Sequence, residues 1–146
     1  MKSSDYAADN VWVVIQNHSD YDIRQVARIQ NRRRTGQLYE RKAAAYLSAC
    51  GYSILETNFY SHHVELDIIA KDGDTLVFVE VKYRKDTSMG YPWEAVDRRK
   101  QQRMYYAAQY YMITHKYGQN TKCRFDVVSI LGEDIHVFKN AFTVNI

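Results

Sequence analysis

A chain of 146 residues suits one domain with a short appendage, and at 46% hydrophobic residues it can build a sizeable core, which argues against wholesale disorder. The net charge of +3 permits a nucleic-acid partner without demanding one. Two cysteines, Cys50 and Cys123, stand in no ligand-like spacing, which argues against a disulfide scaffold or a zinc site and suits a reducing cytosol. The apolar run 11–15 is too short for a signal or a membrane span, so a soluble, cytoplasmic protein with no membrane partner is expected. Thirteen tyrosines are many for this length; they suit half-buried helix and strand faces, or stacking on bases.

In chain order, residues 1–34 read as an N-terminal extension with a basic helix, and 35–146 as the main domain. Run 11–15 reads as a strand or an anchoring segment, and 19–22 as a capping box opening a helix to about Arg34. Arg24, Arg28 and Arg32 share one face of that helix, which ends in Arg32, Arg33 and Arg34. The stretch is a solvated face or a phosphate-binding arm. A second helix is expected over 35–50, with Tyr39, Ala43, Tyr46, Leu47 and Cys50 facing a core and Gly51 as its stop. Strands follow over 52–60 and 63–70, then a hairpin turn over 71–74 with Asp-Gly at its centre, then a valine-rich strand over 75–84. A long helix over 93–116 precedes a strand over 123–131, with a fifth expected over 135–138. The fold class is thus α/β, a mixed sheet of four to five strands flanked by helices in the order α-β-β-β-α-β-(β).

Chemistry concentrates in the hairpin. Side chains alternate along a strand, so Val77, Val79 and Val81 share one face, and Leu76, Phe78, Glu80 and Lys82 the other. Both faces begin apolar, which marks a central strand covered on each side. Charges on such a face are costly unless a cation or an ion pair compensates them. Pairing about the turn centre sets residue i near 146 minus i, which leaves Asp67 opposite Val79 unless a one-residue bulge brings it beside Glu80. Two carboxylates that close repel unless a cation sits between them, and Mg²⁺ or Mn²⁺ takes such oxygen ligands. Lys82 projects to the same side and could orient or deprotonate a water for in-line attack on phosphorus. Glu40, beside the small residues Ala43 and Ala44, could reach the ion, or be an exposed first-turn glutamate.

The motifs at residues 36–40, 65–69, 77–84, Lys100 and 124–128 occur in the order of the YraN family, and the chain resembles that endonuclease-like family over about 35–142. The resemblance implies a restriction-endonuclease-like PD-(D/E)xK domain related to Holliday-junction resolvases. It implies metal ligation by Glu40, Asp67 and Glu80, with Lys82 as the catalytic lysine. Tyr39 and Val64 stand where the family usually has glycine, adding bulk beside the expected site.

Arg84, Lys85, Lys100 and Arg103 are candidate DNA-binding residues, with Arg32, Arg33 and Arg34; a solvated helix face is the alternative for Lys100 and Arg103. Gln101–Tyr105 and Gln102–Tyr106 repeat a spacing seen in some nucleases. His62 and His63 could serve as ligand or base, although histidines entering a strand are usually neither. Glu65 could support Asp67 from outside the ligand set, and Arg124 with Asp126 reads as a structural ion pair. The expected function is a Mg²⁺- or Mn²⁺-dependent DNA endonuclease or resolvase-like enzyme acting on branched or structured DNA, as a homodimer by analogy. The alternatives are a nucleic-acid-binding module with the nuclease fold and little hydrolysis, and a protein-interaction domain whose acid–lysine pair is structural.

Overall fold

Runs rich in β-branched and aromatic residues make five strands, and they form one sheet in the order β1-β2-β3-β4-β5. The computed structural model describes residues 20–144. Within it the elements are α1 (Asp20–Ala49), β1 (Ser53–Ser61), β2 (Val64–Asp72), β3 (Thr75–Arg84), a 3₁₀ turn (Pro92–Ala95), α2 (Arg98–Thr114), β4 (Cys123–Leu131) and β5 (Asp134–Phe142). The expected strand over 11–15 and the capping box over 19–22 lie outside the described residues or at their edge, where side chains are not described. The sheet is mixed: β3 and β4 pair in parallel and the other three pairs are antiparallel. The α-β-β-β-α-β-β order matches the expectation, with β5 present as a full strand.

The two helices expected on either side of Arg34 are one uninterrupted helix. Thr35 is not a cap: its hydroxyl donates back to Asn31 O at 2.8 Å, a bond made inside a helix. The chain nevertheless divides into two units between Gln37 and Leu38. In the first unit, Arg24, Arg28, Arg32, Arg33 and Arg34 are all exposed.

In the second unit, α1 from Tyr39 onward lays Ala43 and Leu47 on Ile68, Ala70, Val77, Val79, Val128 and Ile130. Tyr46 and Cys50, expected in the core, are exposed, because the helix presents a narrower apolar stripe than a 3.6-residue count suggests. On the other face α2 buries Met104, Ala107, Ala108 and Tyr111 against Leu66, Ile69, Leu76, Phe78 and Phe125. Residue 93 does not start α2. Residues 92–95 form a separate 3₁₀ turn, and Asp97 caps the helix by accepting the Lys100 N–H at 2.8 Å. β3 is the central strand, and Leu76 to Val79 are fully buried.

At the end of the sheet near the Gly73 turn, Asp126 is fully buried and satisfied: Arg124 Nε donates to it at 2.9 Å, Tyr52 OH at 3.1 Å and Asn140 N at 2.9 Å. Arg124 also bridges to Asp72 at 2.6 Å, and Lys139 reaches Asp72 at 3.2 Å. The expected structural ion pair is thus the middle of a larger network. Hydrogen bonds to Asp126 and then Asp72 raise the Arg124 pKa, and those from Arg124 and Lys139 lower that of Asp72.

Candidate active site

Turn chemistry sets the register that brings the acids together. The hairpin loop is Gly73–Asp74, closed by the pair Asp72↔Thr75, with Gly73 at φ +61°. Glycine at the first loop position is what a type II′ turn asks for. The loop centre therefore lies between Gly73 and Asp74, and residue i pairs with 147 minus i rather than 146 minus i, as in Ile69↔Phe78 and Ile68↔Val79. One further step along that ladder brings Asp67 to the level of Glu80 rather than Val79, so the predicted offset disappears without a bulge inside the paired stretch.

The ladder stops there. Beyond Ile68↔Val79 the two strands are no longer paired, and the Asp67 carboxylate Oδ2 accepts the Val81 N–H at 2.8 Å. A side chain has replaced a backbone acceptor. Alternation also breaks at Asp67: Leu66 joins the core under α2, whereas Ile68 joins the core under α1. Asp67 thus sits where the two layers meet.

Glu80 follows Leu76 and Phe78 towards α2 and is 2% exposed. Lys82 Nζ stands 2.9 Å from its Oε1, so strand alternation does put lysine and glutamate on one side. Lys100 Nζ reaches Oε2 from the first turn of α2 at 3.2 Å. That contact is an ion pair off hydrogen-bond geometry, and Oε2 is a buried oxygen without a hydrogen bond. Lys100, a candidate phosphate contact from the sequence, pairs with the buried Glu80. Of the other candidate DNA contacts in this unit, Lys85 and Arg103 are exposed, and Arg84 is half-buried with an unbonded Nε.

Burial pushes the Asp67 carboxyl well above the usual carboxylate range, Glu80 pushes it further, and the Val81 N–H opposes both. Burial also raises Glu40, which feels Glu65 and Glu80 as like charges. Glu40 is half-buried and is joined to the sheet by Asn58, whose amide nitrogen, turned to donate, lies 2.6 Å from Glu40 Oε2 and 2.9 Å from Glu65 Oε1. Asn58 takes φ +54°, a conformation that asparagine tolerates better than most residues. Sequence reading missed Asn58; an asparagine interrupting a strand directly across from an acid was the available signal.

Glu40, Asp67 and Glu80 are oxygen donors of the kind a hard divalent cation takes. As folded, though, no three His, Cys, Asp or Glu side chains among the described residues converge closely enough to grip an ion, since Glu80 is held by two lysines and Glu40 by Asn58.

His62 and His63 form the two-residue loop closed by Ser61↔Val64, with φ +47° and +65°. They make the β1–β2 turn, and β2 therefore begins at Val64 rather than at residue 63. Gln101 donates to Val96 O at 3.1 Å, tying α2 to the preceding turn. The bulky residues at the family's glycine positions both pack against other side chains. Tyr39 stacks on Tyr83 with centroids 3.5 Å apart, and Val64 joins the core under α2.

The chain is similar to proteins from several bacteria. It is 45% identical over 112 residues to a UPF0102 protein of Lachnoclostridium phytofermentans, covering 77% of this chain and 95% of the relative. It is 42% identical over 105 residues to a UPF0102 protein of Chromohalobacter salexigens, covering 72% and 84%, and 44% identical over 110 residues to one of Fusobacterium nucleatum, covering 75% and 92%. The model of the uncharacterised protein family UPF0102 matches residues 39–130, a span that holds every residue from Glu40 to Lys100 discussed above. On this match and these relatives, the chain belongs to the UPF0102 (YraN) family.

Proposed function

We propose that this protein is a metal-dependent DNA endonuclease or resolvase-like phosphodiester hydrolase, with Asp67, Glu80, Glu40 and Lys82 at its centre. One observation carries the reading: Asp67 and Glu80, 9% and 2% exposed, lie close enough where β2 and β3 part for the Glu80 charge to raise the Asp67 pKa. A fold gains no stability from burying two like charges together, so their retention points to chemistry. Glu40, Asp67 and Glu80 would hold the ion. Mg²⁺ or Mn²⁺, when bound, neutralises charge developing on the phosphoryl oxygens. Lys82 orients or deprotonates the water that attacks phosphorus in line, and the bond to the leaving sugar oxygen breaks without a covalent enzyme intermediate. Lys100 balances the charge of Glu80 from the opposite side. Lys85, Arg84 and Arg103 bear on the flanking phosphates, and Arg32, Arg33 and Arg34 form a separate phosphate-binding arm. The substrate is branched or structured DNA, and a two-fold junction would call for a homodimer.

No helix among the described residues is long and apolar enough to cross a membrane. That suits a DNA-processing enzyme of the cytoplasm.

The test is to incubate branched, single-stranded and duplex DNA with Mg²⁺, Mn²⁺ or EDTA. Cleavage that needs metal and disappears in Asp67→Ala and Lys82→Ala is the expected result. The lysines already on Glu80 favour a second reading, a nucleic-acid-binding module that does not cut. Salt-sensitive binding with no cleavage in any metal would decide for it. Absence of binding as well would leave a protein-interaction domain.

A further inference from the structure

On the sheet face that carries Glu80 lies a cavity of about 210 Å³, lined by Trp93, Val96, Gln101, Val127, Phe138 and Phe142. Its position is not incidental. Val127 is the register partner of Glu80 on the neighbouring parallel strand, and Gln101 follows Lys100 on α2. The cavity is therefore one strand away from the buried carboxylate. Its mouth is aromatic: Trp93 is 39% exposed, stacks on Tyr91 at 4.4 Å, and meets Phe138 at 5.3 Å.

The surrounding loop is firmly knit for one so exposed. Gly90 N donates to Thr87 O at 3.0 Å, the Glu94 carboxylate accepts the Tyr91 N–H at 3.0 Å, and Pro92 is buried. The loop thus holds two large aromatic rings, Tyr91 and Trp93, stacked and partly exposed at the surface. Arg98 and Arg99 lie exposed on the first turn of α2 beside them.

We infer that this cavity receives one unstacked nucleobase of the substrate strand, held against Trp93 and Phe138, from a nucleotide adjacent to the phosphate at Glu80 and Lys82. The inference rests on the proposed function and adds a subsite to it. A flat apolar ring with polar edges suits a pocket of aromatic walls and one amide, Gln101, while its phosphates remain over the cationic rim. A paired base enters such a pocket only by leaving its stack, so the subsite favours strands with unpaired nucleotides over intact duplex.

The probe is a single-stranded oligonucleotide carrying 2-aminopurine, whose fluorescence falls when it stacks, titrated with the full chain in EDTA so that nothing is cut. Quenching by the native protein, lost in Trp93→Leu/Phe138→Leu with an unchanged thermal melt, is expected. A second measurement leaves the protein native: one abasic nucleotide is walked along the strand, and a single position should weaken binding about tenfold, the scale of one lost base–aromatic stack. Uniform binding along that series, or quenching undiminished in the double variant, overturns the subsite. Metal-dependent cleavage with no quenching removes the subsite and leaves the hydrolase standing. Quenching with a single abasic-sensitive position, but no cleavage in any metal, keeps the subsite and removes the hydrolase.

Discussion

Replacing Asp67 by asparagine should make the protein more stable while destroying its proposed chemistry. The carboxylate is 9% exposed, accepts one hydrogen bond, from Val81 N, and faces Glu80, which is 2% exposed. Both lysines of the centre contact Glu80, so Asp67 is the under-compensated charge. The amide keeps an acceptor for Val81 and offers a donor where the charge stood. A buried polar group left short of partners costs about 1–3 kcal/mol, and more when charged. Relief of about 1–2 kcal/mol is therefore expected, which raises Tm by roughly 5–10 °C for a domain near 100 residues. The gain must also depend on pH. The folded-state pKa of Asp67 lies above the unfolded value, so the folded protein binds the proton more tightly, and the penalty exists only where the group is ionised. Urea unfolding in EDTA at pH 8 should show the full gain, and the difference should shrink as the pH falls towards the ordinary carboxylate range. An Asp67→Asn protein that is less stable at pH 8, or equally stabilised at both ends of the pH range, would refute the account of a strained acid pair.

Asp126→Ala should cost about 3–5 kcal/mol by urea unfolding, because it leaves Arg124, the Tyr52 hydroxyl and the Asn140 N–H without their shared buried acceptor. Asp72, held below the usual carboxylate range by its hydrogen bond from Arg124, contributes stability above its unfolded pKa and loses it as the pH falls through the lower folded value. Asp72→Asn should accordingly be less stable than wild type near neutrality, by under about 1 kcal/mol for a side chain 31% exposed, and should converge with it in acid melts. Gly90→Ala should cost about 1–2 kcal/mol in thermal unfolding, since Gly90 has φ +86° and a Cβ there would meet Glu94 Oε2 at 2.6 Å.

Legibility in the sequence followed the strength of local physics. β3 and β4 begin and end where their valine-rich runs do, because strands buried on both faces leave little choice of residue. Glu80 and Lys82 could be placed together from alternation alone. Their meeting with Asp67 depended on a pairing register shifted by one residue, and in a sheet one residue is the difference between two faces. The expected break after Arg34 is absent because Thr35 and Gly36, weak helix formers, are carried inside one longer helix. His62 and His63 lack the usual look of a turn, and only the paired strands on either side force them into it. The positions of Lys100 and Asn58 are tertiary facts: one comes from the docking of α2, the other from a bent edge strand, and neither leaves a local periodicity to read.

The parallel pairing of β3 with β4 has a bearing on how the centre comes into being. The hairpins β1–β2 and β2–β3 close over two-residue loops, whereas Leu76 must find Cys123 with the whole of α2 in between. Short closures are fast and long ones slow. Asp67 and Glu80 are thus expected to be brought face to face early in folding, while Lys100 arrives only when the crossover docks. During that interval the meander carries its repulsion with Lys82 as the counter-charge on Glu80, so high salt or mild acid should speed the first phase of refolding more than the last.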